Sequence, residues 1–303
     1  MTARNANTLP ALAVAASAVA WGLWWIPVRT LAAAGLGGDW VSLAVYTLAA
    51  ALLLPVAVAR RARFAAGGID LLLIGLCLGV ALTAWNRAVL TGEVVRVVLL
   101  FYLCPIWATG FARVILRQPV SGQRALAIGL GLAGAAVVLG FEGGMPLPRA
   151  EGEWFAVAAG VLFALAATLT RRGGAGGGFE KTYAAFVAGA VSAGVLLVVA
   201  PVGAAPAAAE LWRTLPLLAG ITILWLLPQT WLVIWGAERL DPGRVSLLML
   251  LEIVAAAVSA ALFAGEPFGW RELAGCVLIL GAGAVEAHDQ HRPTTAAGAP
   301  EPG

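Results

Sequence analysis

RVVLLFYLCPIWATGFARVILRQP occupies residues 96–119, and RVSLLMLLEIVAAAVSAALFAGEP occupies residues 244–267. Both open on Arg-Val-x-Leu-Leu, and Gln118-Pro119 of the first falls on Glu266-Pro267 of the second, at an offset of 148 residues. A second correspondence lies upstream. Ala13-Val14-Ala15-Ala16-Ser17 matches Ala156-Val157-Ala158-Ala159-Gly160 at an offset of 143, where Arg29 falls on Arg172. Alanine-rich sequence matches itself easily, so one pair would carry little. Four concordant pairs in the same order indicate that the chain is built from two related halves.

What kind of half this is follows from composition. Of 303 residues, 61% are hydrophobic and 12% charged, and the mean hydropathy is +0.91. A soluble domain carries about 25% charge. Apolar runs of about 20 residues recur throughout, each long enough to cross about 30 Å of hydrocarbon as a helix. The alternating segments of about ten residues that mark a membrane β-barrel are absent. The expected fold is therefore an all-α polytopic membrane protein with ten transmembrane helices, near 9–31, 40–60, 69–91, 94–116, 123–141, 153–172, 181–201, 214–237, 243–265 and 269–287. Polar connections such as Arg60-Arg61-Ala62-Arg63 separate them. Gly173–Gly178 reads as a flexible loop, since it follows no strand and lacks the Gly-Lys-Ser/Thr ending of a phosphate loop. Ala18-Val19-Ala20 resembles a signal-peptidase site, but the apolar span continues to Ala34, and the repeat requires this helix to be kept.

Five helices per half is an odd number, so the second half enters the membrane from the opposite face. That is an inverted-topology repeat, the plan of many secondary transporters, with the substrate site near the midplane between halves. The expected organisation is an N-terminal half over 1–142, a periplasmic linker over 143–152, a C-terminal half over 153–287 and a disordered tail over 288–303. With the N-terminus inside, cytoplasmic segments hold Arg60, Arg61, Arg63, Arg113, Arg117, Arg124, Arg171, Arg172, Lys181, Arg239 and Arg244, besides Arg4 and Arg292. The other side holds only Arg29, Arg87, Arg96, Arg149, Arg213 and Arg271. The positive-inside rule then places both termini in the cytoplasm, in a bacterial-type inner membrane.

Several residues stand out against this frame. Trp40, Trp154, Trp212 and Trp270 fall at span ends, as interfacial anchors do. Trp21, Trp107 and Trp225 fall near midpoints, where an indole N–H needs a partner. They either pack against neighbouring helices or line an aromatic cavity. Trp21, Trp25 and Arg29 share a face at i, i+4 and i+8, while Trp24, one position off, touches a neighbour or lipid. Glu252 lies about eight residues into the ninth span, roughly 12 Å deep. A carboxylate there fixes helix packing, binds a substrate ammonium group or exchanges a proton. Asn86, Tyr102 and Gln229 are further candidate substrate contacts. Arg29 and Arg87 stand at the outer mouth, where each either snorkels to the surface or meets a substrate carboxylate. Pro27, Pro105 and Pro228 lie within spans as candidate hinges. Gly129, Gly131, Gly134, Gly275, Gly281 and Gly283 mark the fifth and tenth helices as packing or homodimer surfaces.

The ten spans, the paired halves and the ending GEPFGWRELAGCVLILGA (265–282) resemble the drug/metabolite transporter superfamily, EamA-type branch. Leu103-Cys104-Pro105-Ile106 through Gln118, then Gly129, form the counterpart in the first half. The resemblance implies a secondary transporter exporting small metabolites by alternating access. The tryptophan-rich first helix is similar to that of aromatic amino-acid exporters in the branch. One departure is Glu252-Ile253, where many relatives, like the fourth helix here, carry a proline.

These features favour export of amino acids, aromatic or otherwise bulky and apolar. The alternative is another small metabolite: a threonine- or cysteine-like amino acid or a drug-like cation. No ATP-binding motif is present, so a substrate or ion gradient would drive transport. An enzyme acting on lipid would need clustered His, Asp, Glu or Cys at membrane depth, and Glu252 alone stands there clearly. The only histidines, His288 and His291, lie in the tail, and Cys77, Cys104 and Cys276 have no metal-ligand spacing. No catalytic residue, metal, cofactor or nucleic-acid partner is expected, and membrane lipid is the surrounding medium.

Overall fold

A computed structural model of the chain describes residues 8–117, 122–139, 147–172, 176–200, 205–237, 239–240, 245, 248–266 and 268–289. Most of these residues are helical: α1 (Thr8–Gly22), α2 (Trp25–Ala33), α3 (Trp40–Ala59), α4 (Arg61–Thr91), α5 (Val94–Phe101), α6 (Cys104–Ile115) and α7 (Gly122–Leu139). After these come α8 (Glu151–Arg172), α9 (Gly178–Val199), α10 (Ala208–Ile221), α11 (Leu227–Ala237), α12 (Leu251–Ser259) and α13 (Trp270–Asp289). Among the described residues, 7 helices are long and apolar enough to cross a membrane, with Ala125–Val137 and Leu251–Ala264 as shorter apolar helices. The expected tail lies outside the described residues beyond Asp289, as do 143–146 of the expected linker.

Two expected boundaries move. The Arg60–Arg63 connection shrinks to Arg60, because α4 is already helical from Arg61. The chain bends instead at Gly68, whose φ of 51° and ψ of −144° only glycine adopts readily. The helix expected from 153 opens at Glu151, with Glu151 and Glu153 in its first turn, where the helix dipole favours acidic side chains.

The first and fourth spans are each broken, and proline explains where. A proline removes its own N–H and its ring crowds the carbonyl four residues back. Pro27 acts on Leu23, and the helix breaks at Leu23–Trp24, where Trp24 N–H reaches Trp21 O and Ile26 N–H reaches Leu23 O, both at 3.0 Å. Pro105 acts on Phe101, and the helix breaks at Tyr102–Leu103. Pro228 acts on Leu224, inside a wide π turn over Thr222–Leu226 in which Leu227 N–H bonds Thr222 O. A second π turn, Ala260–Ala264, ends α12. Proline alone does not force a break, since Pro55 and Pro216 lie inside continuous α3 and α10.

Small residues let the unbroken helices touch. A Cβ on Gly79 would stand 2.4 Å from Gly189 N, so α4 and α9 meet backbone to backbone. A Cβ on Gly134 would stand 2.7 Å from Ile279, joining α7 to α13. This intramolecular contact uses part of the small-residue surface expected on the fifth and tenth helices. The main core runs through the centre and includes Trp24, Trp25, Val28, Tyr46, Trp85, Val97, Leu100, Phe186 and Ile253. Side chains such as Leu72, Leu224 and Leu262 face outward, as in a protein whose surroundings are apolar.

Candidate functional site

Glu252 occupies the first turn of α12, just after a turn at Leu250. At the offset of 148 this turn corresponds to the break at Tyr102–Leu103, although Ile253 stands where the first half has Pro105. Two interrupted helices thus bring their ends together. The Tyr102 hydroxyl lies 2.8 Å from Glu252 Oε2, to which it donates, and 3.2 Å from the Met249 carbonyl. Glu252 is buried. Among the described residues no basic side chain pairs with it. The carbonyl of Phe101, whose helical partner Pro105 cannot supply, accepts the Cys104 thiol at 2.8 Å.

Aromatic rings lead away from this pair. Phe101 lies 5.6 Å from Tyr102, 5.6 Å from Phe163 and 4.9 Å from Trp85, in edge-on or tilted geometry. Such pairs contribute about 0.5–1.5 kcal/mol each beyond area burial. Trp85 and Phe163 were not among the candidates. Trp85 carries the signal that singled out Trp107, an indole well inside a span, and its Nε1 is likewise buried without a partner. Trp107 lies along a hollow of about 480 Å³ on α6, lined by Ile106, Trp107, Gly110, Phe111 and Val114.

The break before Pro27 changes the reading of the tryptophan cluster. A continuous helix would turn Trp24 away from Trp25, yet both are buried, and Trp24 is fully enclosed. Its Nε1 donates to Asn86 Oδ1 at 3.0 Å, so it faces protein, not lipid. Asn86 in turn donates to Ser42 Oγ and Tyr46 OH, each at 3.0 Å. Trp25 Nε1 donates to Ser259 Oγ at 3.0 Å, Trp225 Nε1 donates to Ala20 O at 3.1 Å, and half-buried Trp21 packs edge-on to Trp24. Asn86, Trp25 and Trp225 therefore spend their polar atoms on neighbouring helices. Gln229 does not: it is 2% exposed, and neither its Oε1 nor its Nε2 has a partner.

Arg29 and Arg87 belong to a separate cluster at one end of the bundle. Arg29 donates to Val89 O and Gly92 O at 2.9 Å and pairs with Glu266 at 3.3 Å. The same Glu266 carboxylate accepts Val94 N–H at 2.9 Å and Val95 N–H at 3.2 Å, at the positive end of α5. Arg87 is 3% exposed, so it does not snorkel; it bridges Asp39 and Glu151. Burial pushes the Asp39 carboxyl above its ordinary range, with Arg87 pulling the other way. Arg96 pairs with Glu153 at 2.6 Å. Three of these pairs join residues before position 142 to residues after it. At the opposite end, Arg60 pairs with Glu180 at 3.5 Å and lies over Phe179.

The bundle combines a buried carboxylate in an aromatic setting, an unspent amide and charged ties at one end. Among curated proteins none matches the chain. A crystal structure of a protein 20% identical superposes with a TM-score of 0.58 over 94% of this chain and 100% of that one, which shows a shared fold. The EamA-like transporter family model matches twice, over residues 8–140 and 150–285, nearly the whole chain. The chain belongs to the EamA-like transporter family, within the drug/metabolite transporter superfamily, and is a membrane-embedded, multi-pass transporter.

Proposed function

We propose that this transporter exports amino acids with aromatic or bulky apolar side chains across the inner membrane, by alternating access between two inverted five-helix halves with cytoplasmic termini. The repeat is supported by matching punctuation. Arg117 (φ 54°) and Gly265 (φ 63°), 148 positions apart, both end their helices in left-handed backbone. Arg117 is the one such non-glycine residue among those described. The positive-inside orientation puts the Arg29, Arg87 and Arg96 pairs on the outer face, which they hold shut. Pro27, Pro105 and Pro228 then serve as hinges, placed where backbone is already interrupted.

The observation that carries the substrate class is the Glu252–Tyr102 pair. A buried carboxylate without a basic neighbour is costly in hydrocarbon. A substrate ammonium group supplies the missing charge, and the rings of Trp85, Phe101 and Phe163 offer an apolar side chain a surface. The test is efflux from liposomes preloaded with labelled tryptophan, with and without a proton gradient, with phenylalanine and threonine as competitors. Efflux that phenylalanine inhibits and Glu252→Gln abolishes is expected; no efflux in either condition overturns the reading. A second reading, a drug-like cation, is favoured by the same absence of basic side chains beside Glu252 among the described residues. Efflux of a cationic dye unaffected by tryptophan would establish it.

A further inference from the structure

The first turn of α4 carries Arg61 and Arg63 and no acidic residue. Cations are disfavoured at that end of a helix by its dipole, so local helix formation gives no reason for them. The bend at Gly68 then sets this basic turn off from the rest of α4.

Two other helices bring more positive charge to the same place. Phe64 meets Phe179 and Tyr183 of α9 edge-on, with centroids at 6.5 and 5.5 Å, and Arg60 pairs with Glu180 beside them. Lys181 follows directly. α8 runs antiparallel to α4: a Cβ on Gly152 would stand 2.6 Å from Gly92 N, and Ala166 shares a small core with Leu71 and Ile74. Extending that register sets Arg171 and Arg172, the last residues of α8, level with the Gly68 bend. Arg61, Arg63, Arg171 and Arg172 are all exposed, and among the described residues none of the four is in an ion pair. The acids on these segments are Asp70 and Glu180, and Glu180 already serves Arg60 and the Gly177 N–H. Just beyond the bend, Ile69, Leu72 and Leu76 share one face of α4 and point outward, the first two more than 60% exposed.

We propose that this patch docks an anionic phospholipid, with Arg61, Arg63, Arg171 and Arg172 holding its phosphate and Ile69, Leu72 and Leu76 its acyl chain. The assignment is independent of the substrate. Clusters of four or more basic side chains at the membrane end of a helix select anionic lipid, and the guanidinium fork matches phosphate oxygens. A soluble anion or an acidic peptide would satisfy the arginines alone, whereas a phospholipid also covers the apolar stripe beneath them. Its headgroup bridges α4 and α8 at the end of the bundle that Arg60 and Glu180 tie to α9.

The test places a fluorophore on Ala65→Cys, an exposed position next to Phe64, with Cys77, Cys104 and Cys276 replaced. The chain sits in phosphatidylcholine vesicles doped with phosphatidylglycerol or phosphatidylcholine whose acyl chain carries a quenching nitroxide. One basic residue at a membrane surface changes the association of an anionic lipid by about fivefold. Half-maximal quenching is therefore expected at a phosphatidylglycerol fraction about fivefold or more below that of phosphatidylcholine. Arg171→Gln with Arg172→Gln should reduce this preference at least about twofold, as should Arg61→Gln with Arg63→Gln. Arg113→Gln with Arg117→Gln removes the same charge from another exposed loop at the same end and should leave the preference unchanged. Equal quenching by the two lipids overturns the proposal. An equal loss in the Arg113 and Arg117 variant overturns it too, since it reports diffuse surface charge. Displacement of the lipid by an equal concentration of glycerol phosphate reveals a free-anion site and refutes the lipid assignment. Should the variants fail to fold, the wild-type chain decides: its preference must fall steeply between about 0.05 M and about 0.5 M salt, and a salt-insensitive preference refutes the arginine contacts.

Discussion

Glu266→Gln is the sharpest probe of the outer closure proposed above. The wild-type carboxylate serves Arg29 and the first two N–H groups of α5 together. Glu266 is 9% exposed and Arg29 30%, so their pair ranks with partly exposed ion pairs, about 0.2–1 kcal/mol. A negative charge at a helix N-terminus adds about 0.3–1 kcal/mol. The glutamine amide oxygen still accepts one N–H, so the net loss is about 0.5–2 kcal/mol. If the outer closure opens as a unit, its open population rises about 2- to 30-fold. Val97 is fully buried one turn inside this contact. With Cys77, Cys104 and Cys276 replaced, Val97→Cys reports opening through its reaction with a membrane-impermeant thiol reagent added outside. The labelling rate should rise by the same factor in Glu266→Gln, and adding Arg29→Gln should raise it little further. An unchanged rate refutes the reasoning. So does a rise accompanied by an equal loss of thermal stability, which would report loosening of the whole bundle.

Three further outcomes are expected. Tyr102→Phe strips Glu252 of its described partner and should lower thermal stability in detergent by about 1–3 kcal/mol, and an unchanged melting temperature would reveal another donor. Asn86→Leu strands Trp24 Nε1, Ser42 Oγ and Tyr46 OH and should cost at least about 2 kcal/mol in the same assay; wild-type stability would show that these groups find other partners. Gly79→Val should abolish the folded yield, since its Cβ meets Gly189 N at 2.4 Å, while Gly110→Ala, in open space, should be harmless; equal yields would refute the backbone contact between α4 and α9.

Much of the frame is legible in the sequence, because helix-breaking chemistry and hydrophobic length are local properties. Pro27 and Pro228 mark interruptions about four residues upstream and Pro105 one two to three residues upstream, though Pro55 and Pro216 show that a proline alone does not suffice. The break before Glu252 has no proline, and only its repeat counterpart at Tyr102 hints at it. Partnerships are another matter. Arg29 and Glu266 are 237 positions apart, and nothing in either neighbourhood names the other. The sequence leaves Trp24 open between a neighbour and lipid for a related reason, and the structure supplies the neighbour, Asn86. The facing of Trp24 is computed from an unbroken helix, and the break at Leu23–Trp24 resets the angular count. Gly68 escapes notice because glycine is common in this chain, and only its left-handed φ distinguishes it.

The interrupted helices share a physical requirement that accounts for where the polar side chains sit. In hydrocarbon, a carbonyl released from its helix must find a donor within the protein. Cys104 supplies one to Phe101 and Trp225 to Ala20. Both donors lie in interrupted spans, although α3, α4, α8 and α9 also carry polar contacts, such as Asn86 with Ser42 and Tyr46 and Thr83 with Gly189 O, beside their close small-residue approaches. At these two interruptions the break creates an acceptor, and the acceptor holds a donor. Once such donors are in place, a carboxylate such as Glu252 can be buried with a hydroxyl instead of a counter-charge. Beyond Gly68, α4 is held to α9 where their backbones touch at Gly79 and Gly189. Motion is then expected in the interrupted spans, against a frame that stays fixed, with the charged ties at Arg29, Arg87 and Arg96 setting how often the outer end opens.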